Sequence, residues 1–327
     1  MQLGTIFAAL GFFALVRADG WSLKDTYKGD DFMEKFDYFS DTDPTHGRVL
    51  YQDEKAAKSM NLTYVDHDKN FVLRVDTEKQ RNGAFWTVTA NTGQWPSGGE
   101  IDILENVNDM YSYNQASIHV KDDCYVSADA KQQSGVTEFP NCNAEANESS
   151  GCRIAMNNTK SVTWGSDLNN KGGGVVAMQR DFSKNGKGIR MWFWDKTQSL
   201  PSDIAQAGKT VNPDNWGTPN ANFGKLSCSD KSDGSSQFDA HKVVLDVTMC
   251  GDWADGVYDK ATQCASKYKT CVNQVDNFGE SFQDAFWTIE NLHVYQTGSA
   301  SSSSPLFNPN TLLYVAIVAV SVLLLAV

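Results

Sequence analysis

The stretch GGEIDILEN, residues 98–106, places Glu100, Asp102 and Glu105 within six residues. Ile101, Ile103 and Leu104 stand between them, so the segment reads as a partly buried β-strand that has collected negative charge. Carboxylates held this close suit nucleophilic and acid–base chemistry, because neighbouring anions raise one another's pKa and keep one acid protonated near neutral pH. Side chains alternate along a strand, so Glu100 and Asp102 share a face while Glu105, at odd spacing, points the other way. A β-bulge, one extra residue between Asp102 and Glu105, returns Glu105 to that face. Glu100 and Glu105 then stand about four strand steps apart, about 13 Å between Cα atoms. Two side chains each reaching about 4 Å inward leave about 5 Å between carboxyl groups. At that separation one carboxylate attacks a sugar's anomeric carbon while the other protonates the leaving oxygen, with retention of configuration. We take Glu105 as the acid/base, which leaves attack to Glu100 and orientation of Glu100 to Asp102. A solvated strand face or an oxygen-rich calcium site are the other uses of such a cluster.

The elements that must hold these groups are short strands. IRMWFWD alternates Ile189, Met191 and Phe193 against Arg190, Trp192 and Trp194, and KVVLDVTM sets Val243, Leu245, Val247 and Met249 on one side. FWTIENLHVY, from Phe286, reads as a last strand. Turn clusters such as KNGKG, NKGGG and SDGSS separate them, no long segment has helical periodicity, and no internal repeat occurs. The pattern predicts an all-β protein of antiparallel sheets, a sandwich or jelly roll. The glycines at 172–174 are not followed by GK[ST], so they read as a turn and not as a phosphate loop.

An apolar run, residues 1–18, reads as a secretory signal. Small residues around GSASSSSP, a spacer (together 298–310) and the apolar run 311–327 read as a GPI attachment signal, with a transmembrane anchor as the alternative. Roughly 280 residues remain between, enough for one large β domain. A net charge of −12 argues against nucleic acid or anionic lipid as partner. The seven cysteines match no CxxC zinc pattern and in a secreted chain form disulfides, the odd count leaving at least one thiol over. No metal or other cofactor is expected. Asn61, Asn147 and Asn157 open N-glycosylation sequons, and a monomer is the expected state.

Around the carboxylates, AFWTVTANTGQWPSGGEIDILENVND resembles the active-site region of the fungal laminarinase branch of glycoside hydrolase family 16. The likeness extends to FDYFSDTDPTHGRVLY, GGGVVAMQRD, DNWGTP and MCGDWAD, and spans roughly residues 21–296. It implies a concanavalin A-like jelly roll with an open cleft, and β-1,3 or mixed β-1,3/1,4 glucan as substrate. It also carries the nucleophile and acid/base roles onto Glu100 and Glu105, with Asp102 assisting. Sugar rings stack on aromatic faces, which makes Trp95 and Trp253 the candidate platforms. His119, in SIHV, matches a family histidine on the strand after the catalytic one.

The sequence departs from that family at one place. Relatives carry, between the segments matching FVLRVDT and AFWTV, roughly thirty further residues that form two strands and include a cleft arginine and a cysteine. Here FVLRVDTEKQRNGAFW runs straight through. The expected function is a retaining endo-β-1,3(4)-glucanase at the cell surface. A glucan-binding wall protein with weakened catalysis and a β-glucan transglycosylase are the alternatives.

Overall fold

The computed structural model describes residues 20–77, 82–83, 95–108, 110–127, 132–146, 150–157, 160–297 and 314–319. The expected signal segment, the expected 298–310 linker, Asn147 and the AFWTV segment lie outside the described residues. Two antiparallel layers face each other. One is a seven-stranded sheet in the order Thr210–Val211, Trp21–Tyr27, Asn291–Thr297, Tyr314–Ala319, Gly174–Asp181, Gly188–Asp195, Ala221–Gly224. The opposing layer contains a four-stranded sheet, Glu100–Asp102, Gln115–His119, Cys152–Ala155 and Val136–Phe139, and a three-stranded one, Phe286–Ile289, Phe71–Arg74 and Thr63–Val65. This is the expected all-β jelly roll. The longest helices among the described residues have seven residues, Thr262–Tyr268 and Cys271–Asn277.

Period-two alternation builds the core between the layers. Ile189, Met191 and Phe193 join Val176 and Met178 against Phe71, Leu73, Ile118 and Ile154 in one buried cluster. Trp192 and Trp194, on the opposite face, pack with Trp21, Val175, Trp216 and Tyr295 beneath the outer side of the large sheet. Apolar surface is thereby removed from water on both sides of Gly188–Asp195, which is why this strand reads as almost continuously hydrophobic.

Three sequence expectations need correction or refinement. KVVLDVTM forms no ladder among the described residues, although Val243 and Leu245 reach one core cluster and Val247 and Met249 another. Some of its backbone groups find other partners: Trp287 Nε1 donates to Asp246 O and the Arg48 N–H to Met249 O. FWTIENLHVY is two strands, not one, broken at Glu290 so that Phe286–Ile289 serves the three-stranded sheet and Asn291–Thr297 the seven-stranded one. It is not the last strand, because Tyr314–Ala319, inside the C-terminal apolar run, pairs with both Asn291–Thr297 and Gly174–Asp181. An unbroken apolar run suits a strand covered on both faces as well as a membrane signal, and composition alone does not separate them.

Disulfides join Cys124 to Cys228, Cys142 to Cys152 and Cys250 to Cys271, and Cys264 is a buried thiol outside these bridges. Asn61 and Asn157 are exposed, as glycosylation requires.

Candidate active site

The four-stranded sheet forms the floor of the site. Glu100 pairs with His119 and Asp102 with Ser117 in regular register, whereas the next inter-strand bond runs from the Gln115 N–H to Glu105 O, 3.1 Å. Three residues on the first strand therefore oppose two on its partner, which is the bulge required to turn Glu105 inward. Asn114 holds it open. Its side-chain oxygen accepts the Glu105 N–H at 2.8 Å, its amide donates to Ile103 O at 2.8 Å, and its own N–H donates to Thr163 Oγ1 at 2.9 Å. Ile101, Ile103 and Leu104 pack on the core from the other side of the segment. Hydrophobic anchoring and one buried amide thus position three carboxylates.

Two glycines make room. Gly99 has φ +72°, and a Cβ there would lie 2.5 Å from the Phe238 ring and 2.7 Å from Gln237 O. Gly151 has φ +56°, and a Cβ there would stand 2.7 Å from His119 Nδ1. A side chain at either position is strained by the backbone and collides with a neighbour.

The expected site residues converge, with Trp253 set to one side. His119 Nε2 lies 3.1 Å from an Asp102 carboxylate oxygen, and both side chains are largely buried. Trp95 Nε1 donates to Glu100 Oε2, while the ring, 46% exposed, tilts over His119 at 5.7 Å. Trp95 therefore has a polar task beyond offering a stacking face. Ser117 Oγ makes a long contact, 3.4 Å, to Glu105 Oε2. Trp253 sits over Arg153, 5.4 Å from ring centroid to guanidinium carbon. Arg153 is directly opposite Ser117 on the next strand.

Loss of water and the Asp102 charge push Glu100 up to about 7, against the pull of His119 and the Trp95 N–H. The same two causes push Glu105 up to about 8, with Glu100 adding and His119 and Arg153 opposing. Burial pulls His119 down, but Asp102, Glu100 and Glu105 outweigh it and raise the ring to about 9. The cluster thus contains an imidazolium among three carboxyl groups, and one carboxyl can stay protonated at neutral pH. None of this chemistry calls on a metal.

Sequence reading missed Asn114, Ser117, Arg153 and the hydrogen bond from Trp95. QASIHV did carry a signal: Gln115, Ser117 and His119 alternate with Ala116, Ile118 and Val120. Applied to that strand, the alternation places Ser117 beside His119 on the floor.

The family description "XgeA-like, catalytic GH16 domain" matches residues 36–83 and 82–295, its two parts meeting within the run FVLRVDTEKQRNGAFW. The chain belongs to glycoside hydrolase family 16. An endo-1,3(4)-β-glucanase of Arthroderma benhamiae is 30% identical over 89% of this chain and 68% of its own length. A probable endo-1,3(4)-β-glucanase of Aspergillus niger is 30% identical over 93% of the chain, which spans only 44% of that relative. Among solved structures, Laminarinase 16A from Phanerochaete chrysosporium, described with β-glucans in donor and acceptor sites, superposes with a TM-score of 0.72 at 30% identity. It is covered completely, by 85% of this chain. An elongating family 16 β-1,3-glucosyltransferase superposes at 0.71 with 28% identity, covering 84% of this chain and all of its own.

Proposed function

We propose that this family 16 domain is a retaining endo-β-1,3(4)-glucan hydrolase in which Glu100 is the nucleophile, Glu105 the acid/base and Asp102 the residue that orients Glu100. The bulge held by Asn114 carries this reading, because it sets Glu105 on the face of Glu100 and Asp102. Glu100 attacks the anomeric carbon as Glu105 gives its proton to the leaving oxygen. Once Glu100 is a neutral ester, one anion beside Glu105 is gone, its pKa falls, and it takes a proton from the incoming water. His119, ion-paired to Asp102, keeps positive charge beside Glu100 when it leaves.

Hydrolysis of laminarin followed by NMR is expected to release the β-anomer first, and an α-anomer as first product overturns the assignment. Activity needs Glu100 ionised and Glu105 protonated. It is therefore lost as pH falls through about 7 and again as pH rises through about 8. These limbs belong to the interacting pair, and both stand above the ordinary carboxylate range near 4. An acid limb near 4 in kcat/KM removes the proposed clustering. Binding of laminarin with neither cleavage nor transfer favours the glucan-binding alternative.

We further propose export and attachment of the chain to the cell surface by a GPI anchor at a small residue between Gly298 and Ser304, on the order of small residues, spacer and apolar run. Among the described residues no helix is long and apolar enough to cross a membrane. Phospholipase treatment of intact cells is expected to release the protein. Retention on the membrane together with recovery of peptide 312–327 from its digest refutes the anchor.

A further inference from the structure

Arg153 is not used by the mechanism above, yet it is built into the same floor. Asp102, Ser117, Arg153 and Phe139 stand opposite one another on four successive strands. Adjacent strands lie about 4.8 Å apart, so Arg153 is about 10 Å from the catalytic strand and Phe139 about 14 Å. The guanidinium carbon lies 5.3 Å from the ring centroid of Phe139 and 5.4 Å from that of Trp253. Phe139 is 46% exposed, on an edge strand exposed along its whole length. Among the described residues Arg153 forms no ion pair, and its buried Nε has no hydrogen-bond partner. A desolvated donor without an acceptor is costly, and stacking fixes this one in place.

Arg153 as a whole is only partly buried, and its position says which ligand the guanidinium meets. Arg153 faces Ser117, whose hydroxyl touches Glu105, and Glu105 is the group that meets the oxygen of the leaving or incoming sugar. Two aromatic rings beside a planar guanidinium offer a glucosyl unit an apolar face and hydrogen-bond donors to its hydroxyls. We propose that Arg153, packed against Phe139 and Trp253, is the residue that grips the glucosyl unit on the acceptor side of the scissile bond, and that it sets how far the glycosyl-enzyme partitions to a second glucan instead of to water. The inference rests on the glucanase reading. In the transfer step the acceptor hydroxyl oxygen bonds to the anomeric carbon, the ester bond to Glu100 breaks, Glu100 leaves as carboxylate, and the hydroxyl proton passes to Glu105. No further reactant is needed.

The test separates the two steps. The protein is trapped as its glycosyl-enzyme with 2-deoxy-2-fluoro-laminaribiosyl fluoride, and reactivation is followed with and without laminaribiose. Arg153→Met is expected to raise the half-saturating laminaribiose concentration at least about tenfold, a clearly larger factor than any change in reactivation by water alone, where loss of its charge beside Glu105 is also felt. Arg153→Lys, which keeps charge but not the planar fork, falls between and decides the matter if the Met variant does not fold. Unchanged acceptor dependence in the soluble variants overturns the proposal, as does an equal loss in water alone, which would place Arg153's effect on Glu105. Failure of the unmutated protein to form an adduct overturns the Glu100 assignment itself, and this inference with it.

Discussion

Glu105→Gln is expected to lose laminarin cleavage by about a thousandfold or more, yet still to be glycosylated by aryl β-glucosides with activated leaving groups. The amide keeps the shape of the side chain but has no proton to give, and an activated phenolate leaves without one. The ester then waits, because nothing draws a proton from water. Azide needs no such base, so it is expected to restore turnover and give the β-glycosyl azide, the product of two displacements. Glu100→Gln is expected to be inactive on both substrates while still binding glucan, since an amide does not attack the anomeric carbon. Product configuration, read by NMR, decides between the roles of two chemically identical side chains. An α-azide from the Glu105 variant, or rescue of the Glu100 variant with retention, reverses the assignment.

Asn114→Ala is expected to lower kcat on laminarin about a hundredfold, the effect of moving a reacting group by about an ångström, although Asn114 touches no reacting atom. The substitution leaves the Glu105 N–H and Ile103 O without their partner. Because both groups are only partly buried, the stability cost is about 1–3 kcal/mol in total. Asn114→Asp keeps an acceptor for Glu105 but loses the donor to Ile103, so it should fall between. The discriminating measurement pairs kcat with thermal midpoint: a lowered midpoint at unchanged kcat would show that Asn114 supports the fold without setting the acid/base.

The carboxylate cluster was legible because its chemistry conflicts with its setting: acidic residues interrupting a core strand demand an explanation, and the odd spacing of Glu105 demanded a bulge. The residue that makes the bulge was not legible. Asn114 is an ordinary asparagine in YSYN, and its importance comes from two backbone groups brought to it by a strand nine and more residues away. Alternation in IRMWFWD identified both faces of Gly188–Asp195 correctly, since each face is buried against a different cluster. The same rule failed for KVVLDVTM, because side-chain periodicity reports which way residues point and is silent on whether a neighbouring backbone is present to pair with. Trp253 was identified as an aromatic of the site, but its contact with Arg153 needed a third strand to be placed first.

The central position of Tyr314–Ala319 bears on the life history of the chain. The segment is the middle strand of seven, with partners on either side. A chain that keeps it there holds these six residues within the sheet, and a chain that surrenders them exposes two long unpaired edges, Asn291–Thr297 and Gly174–Asp181. Bare edges recruit whatever strand comes next, including that of another molecule. Under the proposed GPI anchor, sheet closure and tail removal would therefore compete for the same residues. If the proposed anchor is attached, its processing enzymes must reach the tail before the sheet does, and the ratio of surface-attached to untethered protein would record which arrived first.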